Sequence, residues 1–242
     1  MKPVLADIAL VVGAYLLGSL PYMILLGRAR GVDLSEEEDL HIALWRKVGR
    51  LEGLSGIVVD VLKGVIPIIV GFACGFSLAV TVSAGVAGVL GQMWPVFCKL
   101  DGEKGNTAGA GMLLTLTVCL SMTNSPHAYW VFIIVAVPAL TGFFVRTTPR
   151  FIKPGQTLNE RLMFGGPVSN SLPLGMIIAF AIAPLVSWLL NQPVEMTLGL
   201  LAVFIAIAVR RLTASLSEDL KKPKTSIRSI LINRLLYDRS YL

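Results

Sequence analysis

The chain has 242 residues, of which 55% are hydrophobic and 15% charged, with a formal net charge of +6. A mean hydropathy of +0.74, carried by long uninterrupted apolar runs, excludes an ordinary soluble domain. Cys74, Cys98 and Cys119 are isolated, as are His41 and His127, so no disulfide framework, metal-ligand spacing or His-based triad is visible.

A bilayer core takes about 20 apolar residues per helix. Seven runs answer to that length, over residues 4–27, 54–76, 78–97, 107–122, 128–145, 168–190 and 194–209. The fourth is the shortest and is diluted by small residues. The basic residues then set the orientation. Arg28, Arg30, Arg46, Lys47 and Arg50 lie between the first and second runs, Lys99 and Lys104 between the third and fourth. Arg146, Arg150, Lys153 and Arg161 lie between the fifth and sixth, and a further basic group follows Arg210. The intervening connections near Gly75, Asn124 and Asn191 contain neither Lys nor Arg. By the positive-inside rule the basic loops and the tail are cytoplasmic. The expectation is therefore an all-α polytopic membrane protein with seven transmembrane helices, N-terminus outside and C-terminus cytoplasmic. On this reading residues 1–212 form one membrane domain and 213–242 a basic cytoplasmic tail, and the net charge reflects orientation and anionic lipid rather than nucleic acid.

In chain order, the first loop carries Asp33, Glu36, Glu37, Glu38 and Asp39, an acidic stretch that reads as a solvated face. Ser35 ahead of it resembles a helix start with a capping box. Asp60 and Lys63 sit about two turns inside the second run, where charge is costly unless paired or facing a polar cavity. Their i, i+3 spacing places them on one helix face, as a brace or as part of a headgroup pocket. Small residues recur in the third run (Ser83, Gly85, Ala87, Gly88, Gly91) and the fourth (Ala108 to Gly111), as close helix packing in a membrane requires. Pro173 and Pro184 are expected to bend the sixth. The tail reads as Lys221, Lys222, Pro223 and Lys224, then an amphipathic piece around Ile230 to Tyr237 lying on the anionic surface.

The stretch from Gly91 to Gly111 is the most informative. An apolar helix leads into Gly102-Glu103-Lys104-Gly105-Asn106-Thr107, a basic turn that opens the next helix. Free backbone N–H groups and the helix dipole suit such a place to a phosphate. Arg46, also close to the end of a run, is a second cation at the membrane plane.

These residues resemble the bacterial acyl-phosphate:glycerol-3-phosphate acyltransferases of the PlsY type. Ala14 to Pro21, Gly31-Val32-Asp33-Leu34, Asp60-x-x-Lys63-Gly64 with Pro67, Gly91-Gln92-Met93-Trp94-Pro95-Val96-Phe97 and Gly102-Glu103-Lys104-Gly105 carry the resemblance. It implies a cytoplasmic-membrane enzyme of bacterial phospholipid synthesis, with no metal and no cofactor, whose small-molecule partners are acyl phosphate and glycerol 3-phosphate. The acyl group passes to the sn-1 hydroxyl, giving lysophosphatidic acid and phosphate. Carried over, Arg46, Gly102, Lys104 and Gly105 bind substrate, with Asp60, Lys63 and Gln92 as further pocket residues; no catalytic residue is assigned. The chain departs from the family pattern in its acidic first loop, in Gln92 where the family has His, and in Glu103 where it has Gly. Those departures keep open a second reading, a silent or acceptor-switched paralogue that binds anionic lipid or a membrane partner.

Overall fold

A computed structural model describes residues 3–35, 37, 39–123, 125–152, 170–214, 216 and 226–238. Glu36, Glu38, the segment 153–169 and the basic run 221–224 lie outside the described residues. The chain divides into two compact units, residues 1–123 and 124–242.

In the first unit, α1 (Val4–Gly18) is followed by α2 (Tyr22–Ala29). The first apolar run is thus two helices, bent by 43° at the break. Pro21 explains the correction: it supplies no N–H to the ladder and disfavours helical geometry at Leu20. The first loop forms α3 (Leu40–Lys47), capped by Asp39, whose carboxylate accepts from Ile42 N at 3.1 Å. Ser35 is therefore not the cap; its N–H and hydroxyl both donate to Asp33 Oδ1, at 3.0 and 2.8 Å. Next come α4 (Arg50–Ala73), α5 (Leu78–Met93), a short 3-10 turn (Val96–Cys98) and α6 (Asn106–Thr123).

Polar and small residues face inward here, and apolar ones outward. Leu54, Val58, Leu62, Ile66 and Ile69 of α4 are exposed, whereas Gly53, Gly56, Asp60, Lys63, Gly64, Pro67, Ile68 and Gly71 are buried. An apolar exterior around such an interior is the arrangement lipid selects. Glycines set the seams. A Cβ on Gly64 would collide with the Ala108 carbonyl oxygen, and one on Gly111 with that of Val61, so α4 and α6 touch backbone to backbone. Gly88 meets Lys63 O, and Gly91 meets Tyr15 O, drawing α5 against both α4 and α1. The small residues of the third and fourth runs do pack closely, as their sequence suggests.

In the second unit, α7 (Tyr129–Ile152), α8 (Ser171–Leu189) and α9 (Val194–Thr213) pack in series. Ser171 Oγ donates to Gly142 O at 2.9 Å, and the hydroxyls of Ser187 and Thr197 lie 2.8 Å apart. Pro184 lies inside α8, while Pro173 occupies its first turn, where a missing N–H costs nothing. The tail helix α10 (Ile227–Tyr237) does not project onto a surface of its own: Ile230 and Arg234 are buried. Arg211 Nη1 donates to Pro173 O at 3.1 Å and to Leu235 O at 3.0 Å, and Arg234 donates to Ala214 O. Leu235 and Ala214 lie at C-terminal helix ends, where carbonyls lack a partner in their own helix and make good acceptors for buried guanidinium groups.

Among the described residues, five helices are long and apolar enough to cross a membrane: Arg50–Ala73, Leu78–Cys98, Tyr129–Thr148, Ser171–Leu189 and Val194–Thr213. The bent pair α1 and α2 passes the same test when taken together. The sixth helix, α6, is not in that set.

Candidate functional site

The buried face of α4 sets the position of the site. Gly53 and Gly56 leave room for α3, so that the backbone of Trp45 rests over Gly53 and the ring of His41 lies close to Gly56. One turn further on, Asp60 is wholly buried, with Lys63 6% and Gln92 3% exposed. Lys63 Nζ lies 2.8 Å from Asp60 Oδ1, so the expected i, i+3 pair is present. From α3, His41 Nε2 reaches Asp60 Oδ2 at 3.2 Å. The same nitrogen is 3.3 Å from Glu103 Oε2.

Glu103 is brought in by the turn after α5. Its N–H donates to Gln92 O at 3.1 Å, and a side chain at Gly102 would strike Gln92 O and the Pro95 ring. Gln92 Nε2 then donates to Glu103 Oε2 at 3.1 Å and to Thr107 Oγ1 at 3.2 Å. Gly105 adopts φ +73°, a left-handed value that any side chain would strain. Its carbonyl accepts from Gly109 N at 2.8 Å, so it caps α6. Lys104 is half-buried between the two glycines, and Arg46 is exposed in the last turn of α3.

The fold thus gathers Asp60, Lys63 and Gln92 with two residues that the sequence reading set apart. In the sequence Glu103 is a departure from the family's Gly, and His41 is an isolated histidine. No spacing signal links positions 41, 60 and 103; only the packing of α3 on α4 and the pinning of the 102–105 turn do so. Electrostatically the cluster is tightly balanced. Burial works against a charged His41, but the facing Asp60 and Glu103 carboxylates outweigh it and push its pKa up to about 10. Burial raises the Glu103 carboxyl to about 7 in spite of the pull of His41, with Asp60 adding to the rise. A polar, charged interior of this kind suits a small polar ligand bound at the edge of an apolar bundle.

Comparison with known proteins agrees with this architecture. A family profile described as Glycerol-3-phosphate acyltransferase matches residues 8–152. The glycerol-3-phosphate acyltransferase of Roseiflexus sp. (strain RS-1) is 32% identical over 180 residues, which cover 73% of this chain and 81% of that protein. That of Geobacter metallireducens is 37% identical over 115 residues, 46% of this chain and 59% of that one. Among solved structures, PlsY (YgiH), an integral membrane glycerol 3-phosphate acyltransferase, in its glycerol 3-phosphate form, superposes with a TM-score of 0.64 at 24% identity. The alignment covers 98% of this chain and 94% of that one. The lysophosphatidic acid form gives 0.62 at 22% identity, covering 94% and 99%. At these identities the likeness of the structures speaks to the fold. The profile match takes in more than half of the chain, and with the Roseiflexus relative it establishes that the chain belongs to the glycerol-3-phosphate acyltransferase family.

Proposed function

We propose that this protein is a membrane-embedded acyltransferase that moves an acyl group from acyl phosphate to glycerol 3-phosphate. What carries the reading is that the family match, residues 8–152, takes in the whole polar cluster and the Lys104 turn. The acceptor hydroxyl attacks the acyl carbonyl carbon, the bond from that carbon to the phosphate oxygen breaks, and lysophosphatidic acid and phosphate leave; the hydroxyl proton goes to solvent or to the departing phosphate. Because the donor is already activated, holding both substrates and neutralising their charge supplies much of the acceleration. Lys104 and Arg46 supply cations, and Gly102 and Gly105 let the backbone approach a phosphate. Asp60, Lys63 and Gln92 are further residues of the pocket on this reading.

On this reading the protein lies in the bacterial cytoplasmic membrane with seven spans, N-terminus outside and C-terminus cytoplasmic. Residues 1–212 form the membrane domain and 213–242 the cytoplasmic tail. The bent pair α1 and α2 counts as one span. Helix α6 supplies the seventh, because a helix packed in the interior against α4 needs less apolar surface than one facing lipid.

A carboxylate at Glu103, in the turn offered to phosphate, favours one competing reading: the same fold with a changed acceptor, or without turnover. The test is acyl transfer by the purified chain in lipid, with palmitoyl phosphate and labelled glycerol 3-phosphate, beside Lys104→Ala. Lysophosphatidic acid formed by the wild type and lost in the variant supports the proposal. No product from folded protein, with an active relative run alongside, moves the weight to the competing reading.

A further inference from the structure

We infer that His41, Asp60 and Glu103 form a binding site for a divalent transition-metal ion, zinc above all. The inference stands on the geometry of the cluster and does not depend on acyl transfer. One imidazole nitrogen and two carboxylates each offer a donor atom, all within 4.8 Å of one another. Two edges of that triangle measure 3.2 and 3.3 Å. With the third edge no longer than 4.8 Å, the circle through the three atoms has a radius of about 1.8–2.4 Å, a range that includes the length of zinc–nitrogen and zinc–carboxylate bonds.

The competing account is an imidazolium between two carboxylates, and the geometry fits it less well. Charge-assisted N–H to carboxylate hydrogen bonds run at about 2.7–2.9 Å, and both contacts here are longer. Both also converge on the one nitrogen, Nε2, whose single N–H cannot align with two oxygens; a cation at that point can bond to all three donors. Among the described residues, neither Asp60 Oδ2, the oxygen that faces His41, nor Glu103 Oε1 accepts a hydrogen bond of good geometry, although both atoms are buried. Buried carboxylate oxygens in that condition are costly; a cation bonded to Asp60 Oδ2 and to both oxygens of Glu103 satisfies them.

The surroundings are those of a supported site. Lys63 holds the Asp60 oxygen turned away from His41, and Gln92 holds Glu103 from the other side, as the partners of metal-binding carboxylates do. Two carboxylates and an imidazole suit zinc or manganese better than a thiolate-seeking metal. Three protein donors leave a fourth position for a ligand oxygen. A cation there would neutralise the Glu103 charge beside Lys104 and so favour an anion at the 102–105 turn.

The full-length chain, purified in detergent and stripped with a chelator, would be titrated with Zn2+, and bound metal counted after gel filtration. The expected result is about one zinc retained per chain, with affinity about tenfold or more weaker in His41→Ala and in the isosteric Glu103→Gln. His127→Ala and Cys98→Ser serve as controls that retain it. Co2+ in place of zinc should give visible d–d bands without sulfur charge-transfer bands. Folded wild type that retains no stoichiometric metal overturns the inference without reference to any variant. So does retention unchanged in both His41→Ala and Glu103→Gln, or retention lost in Cys98→Ser; any of these leaves His41 as an ion-paired imidazolium.

Discussion

His41 Nε2 lies 3.3 Å from Glu103 Oε2, which joins the loop ahead of α4 to the loop ahead of α6. These are two of the loops that the distribution of Lys and Arg assigns to the same side of the membrane. Two stretches far apart in the chain can make this contact only if α4 and α5 form an out-and-back pair, and those helices do pack together.

Labelling tests that sidedness directly. In a cysteine-free background, Pro126→Cys and Asp101→Cys both place a thiol on an exposed position. An impermeant maleimide added to intact cells should modify the first and leave the second untouched until the membrane is opened. Equal labelling of both from outside would sink the proposed topology.

The Asp60–Lys63 pair should behave as a buried ion pair. Leaving one buried charge without its partner costs about 3–5 kcal/mol, whereas replacing both partners with neutral groups costs far less. Asp60→Asn should therefore lower stability by about 3 kcal/mol, and Asp60→Asn with Lys63→Met should recover most of the loss. Unfolding in mixed detergent micelles reads both values. Additive losses in the double variant would show that the two side chains act independently.

The seam between α4 and α6 has no room for a methyl group. Gly64→Ala would press a Cβ into the Ala108 carbonyl oxygen, a backbone atom that cannot turn aside, at a cost of about 2 kcal/mol or more. Gly13→Ala is the matched control: nothing lies within 4 Å of its Cβ position, and a helical glycine replaced by alanine gains up to about 1 kcal/mol. Thermal unfolding should therefore move in opposite directions for the two variants. A tolerated Gly64→Ala would contradict the backbone-to-backbone contact.

Docking of the tail helix depends on Arg211, which spans Pro173 O and Leu235 O. Arg211→Ala should speed amide exchange over residues 226–238 by about tenfold or more, since each hydrogen bond from a charged group contributes about 1.5–3 kcal/mol. Exchange in α7 should stay as it is. Unchanged protection of the tail would mean that Ile230 and the other apolar contacts hold it without the arginine.

Much of this protein is legible in one dimension because lipid imposes a one-dimensional rule. A helix that crosses or lines a bilayer needs a run of apolar residues, and basic residues gather on one side; both signals survive without any knowledge of packing. The small residues at Gly88, Gly91 and Gly111 are equally readable, since close approach in a membrane demands them wherever they pair. The break at Pro21 was less so, because an apolar run continues through it and only backbone geometry records the bend.

The sequence by itself determined that the chain is helical, built for a membrane, basic in alternate loops, and similar to one acyltransferase family. It also marked Asp60 and Lys63 as charges in a costly place and Lys104 as a cation in the turn that opens the fourth run. Only the tertiary structure decided what those residues face. His41 belongs to a short helix that reads as part of a solvated acidic loop until Gly53 and Gly56 let it settle on α4. Glu103 reads only as a departure from the family's glycine until the Gly102 turn folds it back onto Gln92 and opposite His41. Periodicity reports which face of a helix is buried, but the partner across that face is chosen by packing between distant segments, and a single chain carries no local signal for it.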